Sequence, residues 1–209
     1  MSARQPFHRV RIADVIAETA DALSLVLEVP PELAAEFAYR PGQFLTVRVP
    51  HTDAPVARCY SLSSAPRIDE YLKITVKRVA DGHASNWICD HVTPGAVLEV
   101  LPPAGLFTPN ALDGDLLLLA AGSGITPVIS ILKSALAEGH GHAVLVYANR
   151  DADSVIFAAE LRDLAARHPD RLLVRHWFDN PSAVVIGATA APLPLAVDAL
   201  VAPYRRIRF

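Results

Sequence analysis

Leu116-Leu117-Leu118-Leu119-Ala120-Ala121-Gly122-Ser123-Gly124-Ile125-Thr126-Pro127 is the stretch that fixes the architecture of the chain's second half. Six uninterrupted apolar residues fit a strand buried on both faces of a parallel sheet. Gly122-Ser123-Gly124 turns the chain at the carboxyl end of that strand, and Pro127 suits the first turn of a helix running to Glu138. Open parallel sheets bind ligands at that end of their strands. The rhythm continues downstream. Ala143 to Tyr147 reads as a second strand, Phe157 to Arg167 as a second helix and Leu172 to His176 as a third strand. This βαβαβ series demands right-handed crossovers and a parallel sheet.

Upstream of Phe107 the pattern is different. His8 to Ile12, Ser24 to Val29, Phe44 to Val49, Ala57 to Leu62, Tyr71 to Val79 and Val97 to Leu101 are short strand candidates. Turn residues such as Pro30-Pro31, Pro41-Gly42, Asp81-Gly82 and Pro94-Gly95 separate them, with one short helix at His83 to His91. Six such strands predict a small closed antiparallel barrel. Leu72 to Lys77 alternates with period two, which predicts one core face and one wet face. The predicted fold has two domains: an antiparallel six-stranded β-barrel over residues 1–105, then an α/β parallel-sheet, Rossmann-like domain over residues 106–209. Pro102-Pro103-Ala104-Gly105 serves as the linker.

The composition narrows the function. With 209 residues, 52% apolar and 20% charged, the chain has ample material for packed cores. A formal charge of −3 gives no basic field for nucleic acid or an anionic membrane. Cys59 and Cys89 are the only cysteines, too few for a four-cysteine zinc or iron–sulfur site, and they read as free thiols. The uncharged stretches carry glycine and proline, and no apolar segment follows the polar N-terminus, so neither a bilayer helix nor a secretory signal is expected. The expected compartment is the cytoplasm.

Four segments can carry chemistry. In Arg58-Cys59-Tyr60-Ser61, an arginine suited to bidentate phosphate binding shares a strand face with a tyrosine that can lie against an aromatic ring. Cys59 falls on the opposite face, as a buried thiol. Read alone, the segment also fits a solvated edge strand. Lys77-Arg78-Val79-Ala80-Asp81-Gly82-His83-Ala84-Ser85 runs from strand to helix start, with Gly82 permitting a positive φ. Free N–H groups and Ser85 there suit an anion, although a plain capped helix fits too. Gly122 and Gly124 let backbone approach a ligand ahead of Thr126 and Pro127. Asn149, Arg150 and Asp151 end the second parallel strand, where an adenosine ribose would lie; the arginine suits a 2′-phosphate and the aspartate a free 2′-hydroxyl. His140-Gly141-His142, without further ligands, reads as a solvated turn. Trp87 and Trp177 read as packing residues.

These segments, with Pro41-Gly42-Gln43-Phe44 and Pro102 to Phe107, occur in the order of the ferredoxin–NADP reductase superfamily, and the chain resembles the reductase components of bacterial oxygenases. The resemblance implies FAD in the barrel, with Arg58 on the pyrophosphate, Tyr60 along the isoalloxazine and Ser61 near flavin N5. It places Lys77, Val79, Gly82 and Ser85 in the second flavin segment, and Gly122, Gly124, Thr126 and Pro127 around NADH or NADPH. Thr126 falls close to the nicotinamide, and Asn149 and Arg150 at the adenosine ribose. Ser61 and Thr126 are the residues it implies for catalysis. Asp151 beside Arg150 tilts the coenzyme toward NADH. The implied reaction is hydride transfer from NAD(P)H to flavin, then single electrons to a separate [2Fe-2S] ferredoxin or oxygenase component. A standalone ferredoxin or flavodoxin reductase, or a non-catalytic flavin-binding fragment, are the alternatives. The sequence ends at Arg206-Ile207-Arg208-Phe209, without the family's Cys-Gly-Pro segment or ferredoxin domain, which is read as a truncation that exposes apolar surface on the sheet.

Overall fold

Residues 6–179 are described in a computed structural model of the chain. The sequence reads as a helix over Leu193 to Pro203 after a segment from Asn180 to Ala191, and both lie outside the described residues. The first six strands are β1 (His8–Thr19), β2 (Ala22–Glu28), β3 (Phe44–Val49), β4 (Val56–Ser61), β5 (Leu72–Lys77) and β6 (Val97–Ala104), with helix α1 (His83–His91) between the last two. They form one antiparallel sheet in the order β4-β3-β6-β1-β2-β5. Its outer strands meet at the antiparallel bridge Leu62–Ile74, where Ser63 N also donates to Lys73 O at 2.7 Å. The sheet thus closes into a barrel. Every second residue points inward: Val10 and Ile12, Leu25 and Leu27, Leu45, Val47 and Val49, Ile74 and Val76, Leu98 and Val100 make its core, capped by Ile88 of α1.

The second sheet is parallel, in the order β7 (Leu116–Ala121), β8 (Ala143–Asn149), β9 (Leu172–Phe178). Helices α2 (Ile125–Glu138) and α3 (Ala158–Arg167) make the crossovers. Ile125, Val128, Ile129, Leu132 and Leu136 of α2 pack with Leu118, Leu145, Tyr147, Leu161 and Leu164. Ala22 of β2 belongs to the same cluster, so the barrel and the parallel sheet share packing.

The structure departs from several expectations. β1 runs seven residues past Ile12, because register shifts between Ile12 and Asp14 and between Ala17 and Thr19 let polar residues stay paired with β2. Pro102 and Pro103 lie inside β6 rather than in a linker. The outer face of β5 is not wet. Thr75 is 4% exposed, and its hydroxyl joins Ser24 Oγ at 2.7 Å and Ser63 Oγ at 2.8 Å. β7 is buried on one face only. It is an edge strand among the described residues, and Leu119 is 68% exposed while Leu118 packs under α2. Cys59 is exposed rather than buried. It does oppose Arg58 and Tyr60, but its face is the barrel exterior, beside Thr46.

Candidate flavin and nucleotide cleft

A cleft of about 520 Å3 opens where β4, β5 and the start of α1 face the β7–α2 turn. That size suits part of a cofactor or substrate. It is lined by Arg58, Tyr60, Ser61, Lys77, Val79, Gly82 and Ser85 from the barrel and by Thr126 from α2. The structure therefore brings together eight residues that stand in separate segments of the sequence. Thr75, Asp81, His83 and Ser123 join them. A larger cleft, about 690 Å3, lies around Tyr39, Arg40 and Arg67 and holds none of the expected site residues.

The barrel side favours an anion. Arg58 donates to the carbonyl of its neighbour Ala57 at 2.9 Å and makes no ion pair among the described residues, so its charge is available to a phosphate. The first turn of α1 lines the cleft and carries no side-chain cap, leaving backbone N–H groups and the positive end of the helix for a ligand. Lys77 Nζ lies 3.5 Å from Asp21. Burial pushes the Tyr60 phenol up to about 12, so it stays neutral and presents a flat ring.

Gly82 is needed for a different reason from the one expected. Its φ is −80°, and the residue with a positive φ is its neighbour Asp81, at 58°. A Cβ on Gly82 would meet Ser85 Oγ at 2.9 Å and Val79 Cβ at 3.0 Å. The turn folds back on itself through Val79 N donating to Ser85 Oγ at 3.3 Å, so space rather than backbone freedom excludes a side chain.

On the other wall, Gly122 has φ +48° and its carbonyl accepts the Tyr147 hydroxyl at 2.9 Å, tying the turn to β8. A Cβ at Gly122 or Gly124 would meet nothing within 4 Å among the described residues, which leaves both backbones open to a ligand. Thr126 Oγ1 donates to Ser123 O at 3.1 Å, so its lone pairs remain available. Pro127 sits in the first turn of α2, where its missing N–H costs no helix bond.

Asn149 ends β8 and is 6% exposed; its amide acts on the Tyr147 hydroxyl, yet neither amide atom makes a hydrogen bond of ordinary geometry among the described residues. Buried amides are normally paired, so this one fits a ligand contact. Arg150 is 69% exposed and lies 3.5 Å from Asp21 Oδ2. Asp151 is committed elsewhere. It accepts Ser154 N at 2.9 Å and Ser154 Oγ at 2.5 Å, and these bonds hold its carboxyl below the usual range. The tilt toward NADH drawn from Asp151 therefore loses its basis. Asn149, Arg150, Gly122, Gly124 and Pro127 are not among the cleft's lining residues, though the last three adjoin Ser123 and Thr126 in the chain. His142 pairs with Asp115 at 3.2 Å, and no group of three metal-ligating side chains occurs among the described residues.

Sequence reading misses Thr75, Ser123 and Asp21. Thr75 and Ser123 carry weak signals as polar residues beside apolar runs and glycines. Asp21 carries none, because its role depends on Lys77 and Arg150 arriving from distant elements.

The family model for the oxidoreductase FAD-binding domain matches residues 9–108, and that for the oxidoreductase NAD-binding domain matches residues 118–189. The chain thus matches an oxidoreductase FAD-binding domain followed by an oxidoreductase NAD-binding domain, in the fold of the ferredoxin–NADP reductases. The 3-ketosteroid-9-alpha-monooxygenase ferredoxin reductase component of Rhodococcus rhodochrous is 59% identical over 87% of this chain and 53% of its own length. One component of the 1,2-phenylacetyl-CoA epoxidase of Escherichia coli is 36% identical over 79% of this chain and 48% of its own length. The FAD/NAD-binding domain of the nitric oxide dioxygenase of Vibrio cholerae superposes with a TM-score of 0.75 at 26% identity, covering 91% of this chain and 84% of that one. The chain spans about half the length of the curated relatives it matches. No described helix is long and apolar enough to cross a membrane.

Proposed function

We propose that this chain is the flavin- and nucleotide-binding module of an NAD(P)H-dependent reductase that supplies electrons to an oxygenase. The observation that carries this reading is a single cleft in which Arg58, Tyr60 and Ser61 of the barrel face Ser123 and Thr126 of the parallel-sheet half. An uncommitted arginine, an uncapped helix start and a half-buried neutral tyrosine fit a flavin with a diphosphate. Bound FAD supplies what no side chain can, taking two electrons from a nicotinamide and releasing them singly.

The protein's part is binding and orientation. Arg58 and the start of α1 hold the diphosphate, helped by Lys77, Gly82 and Ser85, while Val79 gives apolar cover. Tyr60 would hold the flavin ring, Ser61 would offer it a hydroxyl, and Thr126 would hold the nicotinamide on the opposite wall. Gly122 and Gly124 admit the coenzyme backbone ahead of Pro127, and Asn149 and Arg150 receive the adenosine ribose. No general base is required, because the transferred group is a hydride; alignment supplies the rate. Both NADH and NADPH remain in this reading, since Asp151 and Arg150 are each engaged by a neighbour.

The proposed acceptor is a separate [2Fe-2S] ferredoxin or an oxygenase component, in keeping with the names of the relatives. The division into a flavin domain over 1–105 and a nucleotide domain over 106–209 belongs to the same proposal, as does the cytoplasm, where the free thiols Cys59 and Cys89 persist.

An anaerobic visible spectrum of the FAD-loaded chain, before and after NADH and then NADPH, tests it. The bound-flavin bands should bleach on addition of one coenzyme. A chain that retains no FAD, or holds it oxidised with both, overturns the reading.

A further inference from the structure

Ser61 and Thr126 can act on the same pair of rings only if the two halves are held at one separation. One stripe of α2 faces that task. Thr126, Ser130 and Lys133 fall at i, i+4 and i+7, so they lie on one helix face. All three are buried, at 6%, 0% and 6% exposure. Thr126 opens into the cleft. One turn on, Ser130 Oγ donates to the carbonyl of Ser64 at 2.6 Å. Beyond it, Lys133 Nζ reaches Asp69 Oδ2 at 2.6 Å and Glu160 Oε1 at 2.8 Å.

The barrel partners continue the flavin strand. Ser64 lies three residues past Ser61, and Asp69 Oδ2 also accepts the backbone N–H of Ala65 at 2.6 Å. Ser64 is fixed again by Tyr39, whose hydroxyl is 2.7 Å from Ser64 Oγ. Lys73 of β5 lies 3.6 Å from the second oxygen of Glu160 on α3. Lys133 therefore joins the helix that carries Thr126 to the segment that carries Ser61, and α3 joins β5 through the same carboxylate.

We propose that Lys133, with Ser130, is a positioning residue for hydride transfer: it sets the distance and angle between the nicotinamide wall and the flavin wall. The inference rests on the proposed function. A buried ion pair is a poor source of stability compared with packed apolar residues, but it fixes direction, because its partners must sit where the charges are.

The test compares Lys133→Met, Lys133→Arg and Ser130→Ala in the full chain. FAD affinity and the visible spectrum of the oxidised flavin are measured first, then the rate of anaerobic flavin reduction at saturating NADH. The expected result is unchanged FAD affinity and a reduction rate lowered about 10- to 100-fold in Lys133→Met. Lys133→Arg should recover part of that loss, and Ser130→Ala should show a smaller loss. Ser130→Ala removes one neutral bond, so it remains informative if Lys133→Met does not fold. A second readout needs no coenzyme: protease cleavage of the apo chain between 105 and 115 should quicken in Lys133→Met and Ser130→Ala as the halves loosen. Unchanged reduction rates in Lys133→Met and Ser130→Ala, or rates that fall only in step with FAD loss, overturn the proposal. If the parent chain itself is not reduced by NADH or NADPH, the proposed function fails, and the cleavage rates still decide whether the stripe holds the halves together.

Discussion

On the barrel wall of the cleft, Arg58 and the start of α1 are left open, but three other polar side chains are braced before any ligand arrives. Thr75 is locked by Ser24 and Ser63, Lys77 by Asp21, and Ser85 by the Val79–Gly82 turn. On the parallel-sheet wall, the glycine turn is open, Arg150 is mostly exposed, and the buried amide of Asn149 makes no hydrogen bond of ordinary geometry among the described residues. The difference suits two kinds of ligand. A cofactor that stays bound gains from groups whose ordering cost was met on folding. A coenzyme that must bind, react and leave is served by a wall that completes its hydrogen bonds only when occupied.

The contrast can be attacked through stability first. Ile129 of α2 is fully buried, and Ile129→Ala should destabilise by about 2–5 kcal/mol. Thermal melts followed by flavin fluorescence and by far-ultraviolet circular dichroism should then separate, with FAD released after the first loss of helix signal. A single coincident transition would mean that the two halves fold as one unit.

Removing the free arginine attacks the barrel wall itself. A charge-assisted bond is worth about 1.5–3 kcal/mol, so Arg58→Ala should weaken FAD about 10- to 100-fold in a fluorescence titration. The apo melting temperature should hardly move, because Arg58 makes no ion pair among the described residues.

Asn149→Leu sharpens the other side. Burying an unpaired amide costs about 1–3 kcal/mol, so this substitution should raise the apo melting temperature. If the amide contacts the coenzyme, the KM for NADH should rise about tenfold while FAD affinity stays the same. A lower melting temperature with an unchanged KM would make Asn149 an ordinary core residue.

The smallest expected effect is in pH. Burial holds the imidazoles of His176 and His168, both in the parallel half, below the ordinary value of 6.5. In that window the unfolded chain binds more protons than the folded one. Their contribution to stability is thus complete above about pH 6.5 and falls away as the solution is acidified. A pH series of melts should show the parallel half losing stability first, and His176→Gln should flatten the slope.

Much of the molecule is legible in its residues, and the failures share a cause. β3, α1 and β7 span the same residues in the sequence pattern and in the fold, because proline, glycine and polar turns bound them on both sides. Arg58, Tyr60, Ser61, Lys77, Gly82, Ser85 and Thr126 stand out in separate segments, and the fold brings them to one cleft. Periodicity tells which residues share a face but not what covers that face. Thr75 reads as wet and is buried by neighbouring hydroxyls, while Leu119 reads as buried and lies on an edge strand among the described residues. Lys133 carries no signal of its own in the sequence and is enclosed because α2 is covered by the barrel as well as by its own sheet. Asp151 looks free for a ribose in the sequence, but its carboxylate is taken by Ser154.

The central claim is that the cleft between the halves is where nicotinamide meets flavin. Its most direct test is the rate of anaerobic flavin bleaching in the FAD-loaded chain with NADH carrying deuterium at the transferred position of C4, against ordinary NADH. Direct transfer across the cleft predicts slower bleaching with the deuterated coenzyme, with the label absent from the remaining nicotinamide. Equal rates with both coenzymes, or FAD bound and never bleached, would contradict it.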